Sequence, residues 1–168
     1  IKPVDLKLAR EKGLVIKLIA STHNNGVGLS ASVLPTFISK ENPLSAVNNA
    51  YNGLLIGSTL ADEQFLCGKG AGRYPTSSAV LSDISALRYD YKYEFRKGHE
   101  DTPPVAQGQR TFYMSYPKDH PVDLRLFDSI EEQYANLDTA YVIGSISLAR
   151  LEYSSIWKQK EVSLIAFE

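Results

Sequence analysis

The residues of this chain best placed to do chemistry are Gly68, Gly70, Ala71 and Gly72, within the run Gly68-Lys69-Gly70-Ala71-Gly72-Arg73-Tyr74-Pro75-Thr76. Three glycines in five residues free main-chain N–H groups from Cβ interference, and a helix beginning just after them adds its partial positive charge. Such a turn can receive an anion or the polar end of a cofactor. Taken alone, the glycines also suit a plain strand-to-helix turn, so the text on both sides has to decide. The order Gly-x-x-x-x-Gly-Lys-[Ser/Thr] is missing, so this is not a P-loop.

Other chemistry has little to work with. His23, His99 and His120 are scattered without Glu-x-x-His or paired-His spacing, which points to solvated loop histidines and no metal site. No serine sits in Gly-x-Ser-x-Gly, and no His and Asp are placed to support a nucleophile. The adjacent acids Asp62-Glu63 and Glu131-Glu132 read as surface charge directed to different sides of a turn or helix. Cys67 is the single cysteine, which rules out an internal disulfide and suits a reducing compartment. Lys69 reads as a solvated loop lysine.

The elements that must position the glycine run can be read on either side of it. Pro3 and Gly13 bracket a short helix over residues 3–12, Leu14 to Ala20 reads as a strand, and Asn25-Gly26 signals a hairpin of type I′. A second strand alternates through Val27, Leu29, Ala31 and Val33, with Pro35 punctuating the connection that follows. Asn49–Ser58 and Glu63–Cys67 give two more strand segments. After the glycines, Val80, Ile84, Leu87, Tyr91 and Phe95 recur at helical spacing, with Thr76, Ser77 and Ser78 available as caps and the stripe expected to pack in the core. Residues 96–110 lose that period, gather charges and carry Pro103-Pro104, the marks of an exposed linker. Beyond them a strand Thr111–Tyr116, a helix carrying Leu124, Phe127, Ile130, Tyr134 and Leu137, and strands at Ala140–Leu148 and Glu161–Phe167 form a small βαββ unit, with a possible further strand around Leu151–Tyr153. The expected class is α+β: a mixed or antiparallel sheet with packed helices over residues 1–95, a linker at 96–110, and the small unit at 111–168.

Composition bounds the partners. Of 168 residues, 18 are Lys or Arg and 19 Asp or Glu, giving a net charge of -1 and no basic stripe, so nucleic acid and anionic membrane are poor partners. No apolar run approaches the ~20 residues of a bilayer-spanning helix, and no signal-peptide pattern opens the chain. Because the first residue is Ile1 and not methionine, a longer parent polypeptide is expected.

Read together, Gly13-Leu14-Val15-Ile16-Lys17-Leu18-Ile19, Val33-Leu34-Pro35, Asn42-Pro43-Leu44, Ala50-Tyr51-Asn52-Gly53 and Gly68-Lys69-Gly70-Ala71-Gly72 followed by Pro75-Thr76 and Asp83 resemble homoserine dehydrogenase. The resemblance covers about residues 1 to 90 and falls on the later part of that family's substrate and dimerisation region. It implies an enzyme interconverting L-homoserine and L-aspartate 4-semialdehyde with NAD or NADP, in the biosynthesis of threonine, methionine and isoleucine. It also implies that Gly68, Gly70, Ala71 and Gly72 reach the dinucleotide near its nicotinamide end, Gly72 foremost. The family's Gly-x-Gly-x-x-Gly fingerprint and the segment supplying its catalytic lysine have no counterpart here, so no catalytic residue is carried over. Where the family often has a small residue or proline, this chain has Lys69. The stretch from Thr111 resembles the ACT-type regulatory modules that often follow such a domain, although Tyr116-Pro117-Lys118-Asp119-His120-Pro121 replaces their usual turn. That likeness implies an amino-acid effector such as threonine. The implied protein is a cytoplasmic homodimer, and this chain alone is expected to be inactive. The competing expectation is a non-enzymatic amino-acid-sensing or dimerisation module.

Overall fold

Pro3–Glu11 forms the helix expected there, α1. Proline at its start spares a donor that would have gone unused, and Asp5, at the third helical position, folds its carboxylate back onto the Lys2 N–H at 2.6 Å. Gly13, at a φ of +69°, ends the helical segment and turns the chain into the strand β1, Leu14–Asn24. The computed structural model describes residues 1–24, 26, 28–91 and 103–168.

Contacts group the chain into two compact bodies, one of Ile1–Ser39 with Thr102–Glu168, the other of Lys40–Asp101. The expected division at 95 and 111 is therefore cut differently, because strands from both ends of the chain share one sheet. In the first body β1 pairs antiparallel with β2 (Leu29–Ser39), from Leu14↔Ser39 to Asn24↔Leu29. The loop between the strands thus spans residues 25–28, longer than the two-residue turn expected, and Asn25 and Val27 lie outside the described residues. Pro35 does not break this segment but sits within β2 opposite Leu18. It is tolerated because the strand's other neighbour joins only at Thr36 and Phe37.

The remaining strands are β5 (Gln109–Pro117), β6 (Ser129–Ala135), β7 (Thr139–Ser147) and β8 (Ser163–Phe167). Here β3 (Tyr51–Ser58) and β4 (Asp62–Lys69) are the two strands of the second body. The six-stranded sheet runs β1-β2-β8-β5-β7-β6, with β2 and β8 parallel and every other neighbour antiparallel. Of the expected linker, residues 96–102 lie outside the described residues, while Gln109 and Arg110 already belong to β5.

Two elements differ from expectation. Residues 124–137 are not a helix: a short 3-10 turn, Leu124–Leu126, leads into β6. Ile130 lies opposite Gly144 and Tyr134 opposite Tyr141, three residues apart on β7 and so on opposite faces of the pleat, where a helix would align them. A bulge between Ile130 and Glu132 inserts one residue and so moves Tyr134 to the other face from Ile130. The return to β7 is locked by the Asn136 side chain, whose Oδ1 accepts from the N–H groups of Asp138 at 2.9 Å and Thr139 at 2.7 Å. Leu151–Tyr153, read as a possible further strand, belongs instead to a short helix, α3, Leu148–Tyr153.

Alternation along β5 feeds two cores. Phe112 and Met114 pack with Phe127, Val142, Ile146 and Leu151 on one face; Tyr113 packs with Leu8, Phe37, Ile143 and Ile165 under α1 on the other. Asp5 and Ser115 are both fully buried, and the Ser115 hydroxyl donates to Asp5 Oδ1 at 2.6 Å. Replacing Ser115 by Ala would leave a buried carboxylate oxygen without that donor, so S115A is expected to lower unfolding stability by ~1–3 kcal/mol. Urea titration followed by circular dichroism checks this, and an unchanged midpoint would show that the bond contributes nothing.

Candidate functional site

The glycine run lies in the second body. There β3 and β4 form an antiparallel hairpin in register from Tyr51↔Lys69 to Ser58↔Asp62. Gly53 is required by packing: a Cβ there would meet Val47 at 2.7 Å and Leu44 at 2.9 Å, both from the 3-10 turn region beginning at Pro43. That turn is capped by Asn42, whose Oδ1 accepts from the Leu44 N–H at 2.8 Å. Gly68 pairs with Asn52 one residue before the hairpin ends at Lys69, and Gly70 donates its N–H to the Ala50 carbonyl at 3.1 Å. Of the glycines singled out from sequence, Gly70 is therefore spent on holding the hairpin closed. A Cβ on it would meet only the mobile end of the Asn52 side chain, which can shift aside.

The helix α2 then runs Arg73–Arg88, starting earlier than the Thr76–Ser78 caps anticipated. Its N-cap is Gly72, at φ +116° and ψ 153°, a conformation essentially closed to side-chain-bearing residues. The Gly72 carbonyl accepts both the Thr76 N–H at 3.1 Å and the Thr76 hydroxyl at 2.9 Å, so Thr76 locks the first turn. Gly70, Ala71 and Gly72 thus form an exposed turn directly after Gly68 and Lys69 of β4, and at the start of α2 the N–H groups of Gly72, Arg73 and Tyr74 have no intrahelical acceptor. Pro75 has no N–H to add. Two cations flank the turn: Lys69, 5.6 Å over the Tyr51 ring, and Arg73, 4.6 Å over the Tyr74 ring and donating to the Tyr74 hydroxyl at 2.7 Å. Lys69 is thereby steered by an aromatic neighbour, which its loop position had not suggested. The whole arrangement is electropositive and suits an electron-rich or anionic group.

The α2 stripe is not core. Val80, Ile84, Leu87 and Tyr91 are all more than half exposed, and no described residue from Lys40 to Tyr91 is buried. Phe95, the last residue of the expected stripe, lies outside the described residues.

Charged groups elsewhere have structural partners. The bulge turns Glu131 and Glu132 toward one surface cavity of about 570 Å³ in the first body, correcting the expectation that they diverge. Glu132 accepts from the Tyr141 hydroxyl at 2.6 Å and from Lys12 Nζ at 3.1 Å, bonds that hold its carboxyl below the usual range. Burial, reinforced by the Glu132 carboxylate, pushes the Tyr141 phenol up to about 12. The Tyr113 hydroxyl is buried without a hydrogen-bond partner, and burial drives its ionisation far upward. His120 pairs through Nε2 with Gln159 Oε1 at 2.9 Å, and among the described residues no cluster of His, Cys, Asp or Glu could hold a metal. Sequence reading missed the Lys12–Glu132–Tyr141 set, since its members lie 120 and 9 residues apart and only the folded sheet joins them.

The fold and this turn define the class: an α+β scaffold of the kind seen in solved oxidoreductases. A homoserine dehydrogenase structure from Thiobacillus denitrificans superposes on 98% of this chain and 45% of its own, with a TM-score of 0.71 at 22% identity. One from S. aureus covers 98% of this chain and 44% of its own, at 0.60 and 25% identity. The family model for homoserine dehydrogenase matches residues 1–85, and the chain belongs to that family. Homoserine dehydrogenase from Synechocystis is 40% identical over 88 residues, half of this chain, and that from Neisseria gonorrhoeae is 38% identical over 80. The chain spans about a fifth of the length of these curated relatives.

Two predictions follow from the geometry. Gly72→Ala forces a side chain into a backbone region that costs ~1–3 kcal/mol and should fray the start of α2, whereas Gly68→Ala, whose Cβ meets nothing within 4 Å, should leave the fold unchanged. Equal thermal midpoints for the two variants would contradict the assigned Gly72 conformation. Separately, because a raised phenol pKa favours the folded state below pH 10 and loses that contribution as pH rises through about 12, removing the Glu132 charge should bring Tyr141 titration back toward 10. Absorbance titration at alkaline pH of wild type and Glu132→Gln reads this directly, and coincident curves would exclude the coupling.

Proposed function

We propose that this chain is the part of a homoserine dehydrogenase that carries the later substrate and dimerisation region, the glycine turn and a regulatory tail. The parent enzyme interconverts L-homoserine and L-aspartate 4-semialdehyde by hydride transfer with NAD or NADP, in the biosynthesis of threonine, methionine and isoleucine. The observation carrying this reading is the Gly72 cap at positive φ, which stands with Ala71 immediately ahead of α2, beside Gly68 and Gly70 of the hairpin, within the segment matched by the family. In the parent enzyme this turn would hold the nicotinamide end of the dinucleotide. Ala71 and Gly72 would supply donors, Gly68 would leave room for the ligand, and Gly70 would keep the hairpin closed beneath it. When bound, the dinucleotide supplies the hydride-transfer chemistry; the turn's contribution is orientation.

The tail from Thr111 is read as a degenerate ACT-like unit. Its support is the strand order β8-β5-β7-β6, entirely antiparallel, which is that of a β-α-β-β-α-β module whose first helix has shrunk to the turn Leu124–Leu126. An amino-acid effector and a cytoplasmic homodimer complete the reading. No helix among the described residues is long and apolar enough to cross a membrane. Lacking a cofactor-binding fingerprint and a proton-transfer residue, the chain by itself should not turn over.

The test is NADP reduction with homoserine, comparing this chain with the polypeptide extended upstream to the next initiator methionine. Activity is expected only in the longer protein. There Gly68→Val should raise the KM for the dinucleotide at least about tenfold, a loss of roughly 1.4 kcal/mol of binding, without lowering the thermal midpoint. A folded but inactive longer protein would sink the dehydrogenase reading.

A further inference from the structure

The sheet of the first body has an internal gap. β2 is bonded to β8 only at Thr36 and Phe37, and at its other end Leu29 exchanges main-chain bonds with the segment at Pro104: the Leu29 N–H donates to Pro103 O, and the Val105 N–H to Leu29 O, each at 3.0 Å. Gly28 permits this approach, since a Cβ there would sit 2.6 Å from Val105. At the near end the Phe37 carbonyl accepts from the Glu168 N–H at 3.2 Å. Leu29 and Phe37 therefore aim their main-chain groups at the same edge, and by alternation so do Ala31, Val33 and Pro35. Pro35 has no N–H. Ala31 and Val33 are left with an N–H and a C=O each, facing no strand among the described residues.

These groups open into a groove of about 1150 Å³, walled by Val105, Leu148, Leu151, Trp157 and Val162. Among the described residues no lysine or arginine side chain lines it, and Glu152 is the one acid. Donors and acceptors repeating every second residue, beside alternating apolar side chains, match the main chain of an extended polypeptide. From Leu29 to Thr36 the gap is roughly 23 Å long at ~3.3 Å per residue, enough for five or six strand residues. Ile1 itself lines the groove, so residues joined ahead of it start there, and the curated relatives are about five times the length that this chain matches.

We propose that this groove receives an extended, apolar segment of the parent polypeptide upstream of Ile1, added as a strand against Ala31 and Val33. The proposal rests on the reading of the chain as part of a longer dehydrogenase. The experiment is residue-resolved hydrogen exchange on the Ala31 and Val33 amides, in this chain and in the upstream-extended protein, with hydride transfer measured on the same samples. Both amides should exchange freely in the isolated chain and slow by at least about a hundredfold in the extended, active protein. Free exchange in an active extended protein would overturn the strand proposal and leave the dehydrogenase reading standing. A folded, inactive extended protein would overturn both. Protection already present in the isolated chain and rising with its concentration would place a second copy in the groove and reject the upstream segment.

Discussion

A fully buried carboxylate, Asp5, is the constraint on which the first body depends. Removing a charge from water is costly unless donors replace the lost hydration, and here the Lys2 N–H and the Ser115 hydroxyl each approach to 2.6 Å. One bond belongs to the start of α1 and the other to the middle of β5, so the cap that begins the helix also fixes it to a strand 110 residues away. Neither bond can be given up alone without stranding an acceptor in the interior. The same strand carries Tyr113, whose ring meets Phe37 and Tyr141 while its hydroxyl stays unpaired nearby. Its apolar contacts hold that ring in place, because its polar end has no partner to do so.

β5 is consequently the spine of the sheet. It lies between β8 and β7, and its alternation sends Phe112 and Met114 to one core and Tyr113 to the other. β8 then bridges to β2, which brings the first 39 residues and the last segment into one sheet. Chain ends joined in this way explain why a boundary drawn along the sequence does not coincide with a boundary in space.

How much could be read in advance varied with how local the determining interactions are. α1 has its start and stop written in Pro3 and Gly13, β3 and β4 are short alternating segments with a tight return, and a helix does follow the glycines, although it runs Arg73–Arg88 and ends before Tyr91 of the expected stripe. In each case the signal lies within a few residues. β6 defeats the same method, because apolar residues four apart suit a helix and a strand alike and β7 supplies the partner that decides the outcome. For the glycine turn, residue types marked an exposed turn before a helix but placed the caps at Thr76–Ser78 and not at Gly72, and the loss of the Gly70 amide to Ala50 depends on hairpin register, which no spacing rule reveals. Asp5 was legible only as an acid in a helix's first turn; its burial depends on Ser115.

The two bodies also differ in what supports them. The first has two cores, whereas no described residue from Lys40 to Tyr91 is buried, and Leu54, Leu66, Ile84 and Leu87 are each more than half exposed. A two-stranded hairpin and one helix bury too little apolar surface to offset the entropy of ordering them. Yet this is where Gly72 holds a backbone conformation that only glycine adopts readily, and a turn built on so permissive a residue needs its neighbours to fix it. The hairpin bond from Gly70 and the double acceptance at the Gly72 carbonyl meet part of that requirement locally. The rest calls for apolar surface against the α2 stripe, and the relatives, about five times the matched length, have polypeptide to supply it. The glycine turn is thus held by local bonds, and the apolar stripe on α2 is left for other polypeptide to cover.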